Sequence, residues 1–252
     1  MKKLIVLLLC AAFILVCFAG CGNTEQPSDD NTEKKVYKMG TNAAFPPYEY
    51  KEGEKFVGID VEIATAIAEK LGGTLEVVDM SFDSIITSVT QNEVDFGMAG
   101  MTVRPDREEY VDFSSSYATG VQCVIVKADS SIASIEDLAG KKIGTQLGTT
   151  GFMYASDDYG EENVIGYDKG ADAVIALKGG DVDAVIIDNE PAKVYVEENS
   201  GLTILETKYA IEDYAIAVNK GNTELLDKIN KALEELTADG TIDAIIAKYI
   251  KA

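Results

Sequence analysis

Arg107 is the side chain best suited to binding chemistry. An apolar, β-prone run over residues 94–101 ends at Thr102, turns through Pro105 and delivers Arg107 just before a second short apolar segment, residues 110–113. A guanidinium is permanently charged and presents a planar fork of donors. Beside a hydroxyl and free backbone N–H groups it seats a carboxylate or phosphate. The competing reading is a solvated arginine paired with Asp106 or Glu109. Asp188 supplies the opposite charge. It follows an apolar strand over residues 184–187 and precedes a helix with Pro191 in its first turn, so it reads either as a helix cap or as the partner of a ligand cation. A third candidate is the loop Leu147-Gly148-Thr149-Thr150-Gly151, between a strand over residues 142–146 and a helix starting near Phe152. N–H groups and hydroxyls at a helix start favour an anion, although a plain glycine turn with a threonine cap fits the same residues. The loop lacks the lysine and the length of a nucleotide-binding loop.

Aromatic side chains stand nearby in the pattern. Pro46 and Pro47 hold residues 42–50 extended and off the helical path, so Phe45 and Tyr48 project from a stiff loop, either to stack on a ligand or to plug the edge of the core. Phe82 sits between a strand and a short helix.

Composition closes off other chemistries. The 252-residue chain contains no histidine, which excludes a Ser-His-Asp triad, a Cys-His pair and any zinc site that needs imidazole. A formal charge of −21 with no basic stripe argues against a nucleic-acid partner. No cofactor or metal motif is present. Of the four cysteines, Cys10 and Cys17 fall in an N-terminal apolar run, and Cys123 is alone in the body, within an apolar segment that suits a buried, inert thiol.

The elements that must position these side chains follow from periodicity. Residues 36–41 and 74–80 read as strands, and a helix between them carries Ile63, Ile67 and Leu71, with Asp60 as its N-cap and Gly72-Gly73 as its stop. A short helix with Ile85, Ile86 and Val89 on one side leads into the next strand. Strand, helix, strand, helix, strand implies a parallel, doubly wound sheet whose loops gather on its carboxyl edge. Asn42, Phe45, Phe82, Thr102 and Arg107 all fall on that edge, from separate stretches of chain.

Beyond Phe113 the pattern changes. Residues 117–127 are extended and too long for one strand of a compact unit, so they suit a crossover to a second α/β unit. That unit holds a short helix capped by Ser134, the 142–146 strand, a helix around residues 171–177, and strands at 184–187 and 202–205. Residues 209–218 repeat the character of the first crossover and bring the chain back. Final helices carry Leu225, Ile229, Leu233 and Leu236, then Ile242, Ile245, Ile246 and Tyr249, on apolar stripes. The expected organisation is residues 35–118 and 215–252 in lobe 1 and residues 119–214 in lobe 2.

Residues 1–20 read as a signal peptide. Lys2 and Lys3 precede an apolar run too short to span a bilayer comfortably, and Phe18-Ala19-Gly20-Cys21 is a small-residue cleavage site. Loss of the two lysines takes the charge from −21 to −23. Residues 22–34 contain no large apolar side chain and read as a flexible tether.

Asn42-Ala43-Ala44-Phe45-Pro46-Pro47-Tyr48, Val57-Gly58-Ile59-Asp60, the MTVRPDR segment with Val111-Asp112-Phe113-Ser114, the GTT loop, and Asp183-Ala184-Val185 with Asp188 resemble family 3 bacterial solute-binding proteins, the amino-acid receptors of ABC importers. The likeness spans the mature chain in order. It implies a two-lobed α/β architecture of the periplasmic-binding-protein type II fold, each lobe a doubly wound sheet, joined by two hinge crossovers. It implies a free amino acid as ligand, membrane permease subunits as partners and a monomer.

Site roles carry over by position. Arg107, Thr102 and the backbone at Gly100 would bind an α-carboxylate, with Thr150 meeting it from the other lobe. Asp188 would bind the α-ammonium, Phe45 and Phe82 would sandwich the side chain with Tyr48 beside them, and Asn42 and Gln146 would help select it. Asn42 stands where some relatives place an acid. The opening TNAAFPPYEY and the SFDSI segment are similar to arginine-binding members, which makes arginine or another polar amino acid the expected ligand. The sequence before Cys21 is similar to a lipobox, with Phe18 in place of the usual leucine, and implies acylation of Cys21 and anchorage to the outer face of the cytoplasmic membrane. Two rival classes share the fold: a dehydratase-like cleft enzyme, disfavoured because no extra acid falls near Gln146, and a ligand-sensing domain, which here would act through a partner.

Overall fold

The computed structural model describes residues 34–206 and 209–251. The leader, Cys21 and the tether up to residue 33 lie outside the described residues. Strand β1 (Val36–Thr41) alternates exposed and buried side chains at its start and is wholly buried where it reaches the cleft. A hairpin of β2 (Tyr50–Glu52) and β3 (Lys55–Val57) then leads to helix α1 (Ile59–Lys70). Next come β4 (Thr74–Asp79), a 3-10 turn at Phe82–Ser84, α2 (Ile85–Thr90), the two-residue β5 (Phe96–Gly97), α3 (Pro105–Glu108) and β6 (Val111–Phe113). These strands and one later arrival form a sheet ordered β4-β1-β5, then that arrival, then β6. The pairs β1–β4 and β1–β5 are parallel, as the alternating pattern requires.

The ten-residue β7 (Ala118–Lys127) carries the chain into a second sheet. There follow a 3-10 turn at Ile135–Leu138 closed by a Ser134–Asp137 capping box, β8 (Ile143–Gln146), α4 (Thr150–Tyr159), β9 (Val164–Tyr167), α5 (Gly170–Gly179), β10 (Ala184–Asp188), α6 (Asn189–Glu198) and β11 (Leu202–Ile204). Strand β12 (Ala210–Tyr214) runs back antiparallel to β7, Tyr214 opposite Ala118 and Ala210 opposite Gln122. The second sheet is ordered β11-β7-β10-β8-β9, with β12 against the first half of β7. The two crossovers therefore form one ribbon between the sheets. Strand β13 (Ala217–Asn219) is the late arrival: it enters the first sheet antiparallel between β5 and β6, making that sheet mixed where a wholly parallel one was expected.

Helices α7 (Thr223–Ala238) and α8 (Thr241–Tyr249) pack on α1 and close the first unit. Leu225, Ile229, Leu233 and Leu236 are buried along α7, each contributing about 1.5–3 kcal/mol of transfer free energy. Cys123 is buried and free, and burial pushes its thiol up to about 12. Among the described residues no helix is long and apolar enough to cross a membrane.

Three local expectations need correction. Asp60 does not cap α1: the helix begins at Ile59 after Gly58, and the Asp60 side chain turns inward and is buried. Gly58 has φ +123° and lies so close to Tyr48 that a Cβ would come within 2.2 Å of its carbonyl oxygen. Arg107 sits on α3, with Pro105 at the first helical position, and not at a strand end; proline's fixed φ starts a helical turn there. The apolar run at 94–101 pairs as a strand only at Phe96–Gly97, because Gly100, at φ +53°, bends the backbone so that its N–H reaches Asp60 Oδ2 at 2.8 Å.

Candidate functional site

A cavity of about 450 Å³, counting its open mouth, lies where the carboxyl ends of both sheets face each other. From the first sheet come Asn42 and Phe45 after β1, Phe82 after β4, Ala99, Gly100 and Thr102 after β5, and Arg107 on α3. From the second come Gln146 ending β8, Thr149 and Thr150 starting α4, and Asp188 ending β10. Strand ends of a doubly wound sheet leave such a crevice because the connecting loops splay apart there.

Arg107 is buried on the cavity wall. Its two terminal nitrogens donate to the carbonyls of Thr102 (2.8 Å) and Gly148 (3.0 Å), so the guanidinium touches backbone of both units, and it lies 5.4 Å from the Phe82 ring centroid. Burial pulls its pKa down to about 10, with neighbouring Arg104 acting in the same direction; it stays charged at neutral pH. Its reading as a solvated arginine paired with Asp106 fails, since Asp106 pairs with Arg104 at 2.9 Å.

Asp188 is also buried and makes no helix-capping bond. Its oxygens accept from Gln122 Nε2 at 2.7 Å and from the Tyr214 hydroxyl. Burial pushes the carboxyl up to about 7, and Glu212 adds to the shift. Across the cavity Gln146 Nε2 donates to Asn42 Oδ1 at 3.0 Å, while Asn42 Nδ2 donates to the Met80 carbonyl at 2.7 Å. Thr149 caps α4 by accepting from the Phe152 N–H at 3.3 Å, so the threonine-cap reading holds for Thr149 and Thr150 is left facing the cavity.

All the expected ligand contacts except Tyr48 line this one cavity. Tyr48 lies behind it, stacked on Phe45 with centroids 5.8 Å apart and edge-on to Tyr214 at 5.3 Å. It supports the Phe45 ring from the core side. Phe45 in turn covers Gly100, where a Cβ would stand 3.0 Å from the ring.

Three polar residues here were not anticipated. Gln122 lines the cavity from β7; Glu212, on β12, is buried just behind Thr102, Gln122 and Thr150; Glu49 lines the cavity at 1% exposure. Each left a trace in the sequence. Gln122 is the one polar residue in an otherwise apolar run, Glu212 interrupts a crossover, and Glu49 sits between two tyrosines after the prolines. Burial, with Asp60 next to it, holds the Glu49 carboxyl well above the usual range, and burial pushes Asp60 up to about 6. Both Glu49 oxygens and Asp60 Oδ1 are buried without a hydrogen-bond partner among the described residues. Asp60 Oδ2 is held by the Gly100 N–H and, at 2.8 Å, by the Tyr117 hydroxyl. No cluster of metal-ligating side chains occurs among the described residues.

Two α/β units with a polar cleft between their strand ends define the architecture of a two-lobed binding protein. The model of the bacterial extracellular solute-binding proteins, family 3, matches residues 37–252, and the chain belongs to that family. It is 39% identical over 259 residues to the arginine-binding extracellular protein ArtP of Bacillus subtilis, covering 99% of this chain and 98% of that protein. Among solved structures it is similar to an ancestral arginine-binding protein bound to arginine, with a TM-score of 0.81 and 43% identity over 86% of this chain and 99% of the other. It is also similar to an ancestral amino acid-binding protein described as a precursor of cyclohexadienyl dehydratase, with a TM-score of 0.80 and 31% identity over 86% and 96%.

Proposed function

We propose that the protein captures a free polar L-amino acid, arginine foremost, in the cleft and delivers it to the permease of an ABC importer. The observation that carries this reading is the pairing of a buried cation, Arg107, with a buried anion, Asp188, on the walls of one cavity. A zwitterion that enters loses its water, so each of its charges needs a fixed partner of opposite sign. Arg107, Thr102, Gly100 and Thr150 take the carboxylate, Asp188 takes the ammonium, and Phe45 and Phe82 cover the side chain, whose end meets Asn42 and Gln146. Family relatives named for arginine support that substrate class.

Residues 35–118 with 215–252 act as one lobe and residues 119–214 as the other, moving about the β7–β12 ribbon. Ligand that bridges both walls favours the closed form, which is the form a permease distinguishes. The protein works as a monomer outside the cytoplasmic membrane, tethered through acylated Cys21.

One observation favours a second reading. Glu49 places on the cavity wall a carboxyl that burial holds well above the usual carboxylate range, an acid the sequence pattern had not supplied, and an upward shift of that kind suits the general acid that a dehydratase-like cleft enzyme needs. A thermal-shift panel of the twenty amino acids with ornithine, citrulline and cystine separates the two. Binding to the native state raises the midpoint by mass action. A large shift with arginine or its near analogues is expected; no shift with any of them, together with turnover of prephenate or arogenate, would replace the receptor by the enzyme.

A further inference from the structure

Glu212 lies outside the cavity lining, yet it bonds to residues of both walls. It sits in the middle of β12 and is 4% exposed. One oxygen, Oε2, accepts three hydrogen bonds: from Thr102 Oγ1 at 3.2 Å, Gln122 Nε2 at 3.0 Å and Thr150 Oγ1 at 2.9 Å. Thr102 follows β5 of the first sheet, whereas Thr150 begins α4 behind β8 of the second. Their hydroxyls come from opposite walls and converge on a single carboxylate oxygen that belongs to the ribbon joining the sheets.

Such an arrangement works only with the walls together. If the lobes part about the β7–β12 ribbon, Thr102 and Thr150 separate, and Glu212 keeps the donors of one side at most. Hydrogen bonds to a buried charge are among the stronger ones a protein makes, and leaving them half made is costly. The other cross-cleft contacts of the site differ in kind: Gln146 to Asn42 is neutral, and Arg107 to the Gly148 carbonyl comes from a wall and not from the ribbon. Glu212 also holds the hydroxyls of Thr102 and Thr150, two of the four residues assigned to the ligand carboxylate, so it fixes where their backbones present themselves.

We propose that Glu212 is a positioning residue for ligand capture: a hinge-strand carboxylate that clasps Thr102 and Thr150 across the cleft and sets both the degree of closure and the residence time of the ligand. This rests on the hinge-closure reading above. The test uses the mature protein with spin labels on Ile175→Cys of α5 and Glu234→Cys of α7, two exposed positions on outer helices; the native Cys123 is buried. Interlabel distances are measured without amino acid and with saturating arginine, and arginine release is followed by stopped flow.

Glu212→Ala is expected to lengthen the ligand-free interlabel distance and to speed release about tenfold or more, with Glu212→Gln intermediate because its amide oxygen still accepts. A purely structural role would lower thermal stability and leave distances and release rate at parental values, which would overturn the clasp. Should Glu212→Ala fail to fold, Glu212→Gln decides: faster release supports the clasp and parental release overturns it. If the parent binds no amino acid and the ligand-free distance still lengthens on Glu212→Ala, the clasp stands and the amino-acid reading falls. If arginine binds and neither variant opens or releases faster, the clasp falls and the receptor reading stands.

Discussion

Asp188 makes the proposed ligand chemistry pH-dependent. Burial holds its carboxyl up at about 7, whereas a bound ammonium favours the ionised form and pulls that value down. Affinity is therefore full above about 7 and falls as pH drops below it, by at most about tenfold per unit. Calorimetric affinities between about pH 8 and pH 5 check this; Asp188→Asn is expected to weaken binding and flatten the profile, and an unchanged slope in that variant would assign the titration to Asp60 or Glu49. Arg107 and Asp188 stood out by position, one after a proline turn and the other at the end of an apolar strand, but each had an ordinary alternative as a surface ion pair or a helix cap, and the family resemblance is what gave them ligand roles. Glu49 and Glu212 did not stand out, since their roles depend on contacts with residues far along the chain: Asp60 for the first, Thr102 and Thr150 for the second.

At the level of elements, the β7–β12 ribbon is where sequence and structure agree most closely. Both segments were legible as extended and apolar, but their pairing was not, because antiparallel register is set by contacts about ninety residues apart, as between Gln122 and Ala210. The helix carrying Arg107 was missed for a related reason: four residues are too few to show a period, and Pro105 alone marks the turn. Gly120, within the ribbon, is a sharp probe. A Cβ there would stand 2.2 Å from the Tyr214 hydroxyl and 2.5 Å from Asp188 Oδ1. Gly120→Ala is thus expected to cost about 1–3 kcal/mol of stability through overpacking and to weaken ligand binding by displacing Asp188. Denaturant midpoints with and without arginine read both effects; an undisturbed midpoint would mean the ribbon yields more easily than its packing indicates.

For the whole molecule, length and the two extended crossovers were enough to expect two α/β units with the chain returning to the first, and β13 between β5 and β6 is that return. Its antiparallel direction escaped notice because three residues carry no sign of direction. A cation from one unit and an anion from the other line one cavity, and the central claim is that an amino acid joins them. Titration calorimetry of arginine into the mature protein and into Arg107→Ala tests it most directly. Loss of charge-assisted contacts worth about 1.5–3 kcal/mol or more should weaken binding roughly tenfold to beyond a hundredfold, with the variant still folded. Near-parental affinity in Arg107→Ala would contradict the account, because the ligand carboxylate would then be held somewhere else.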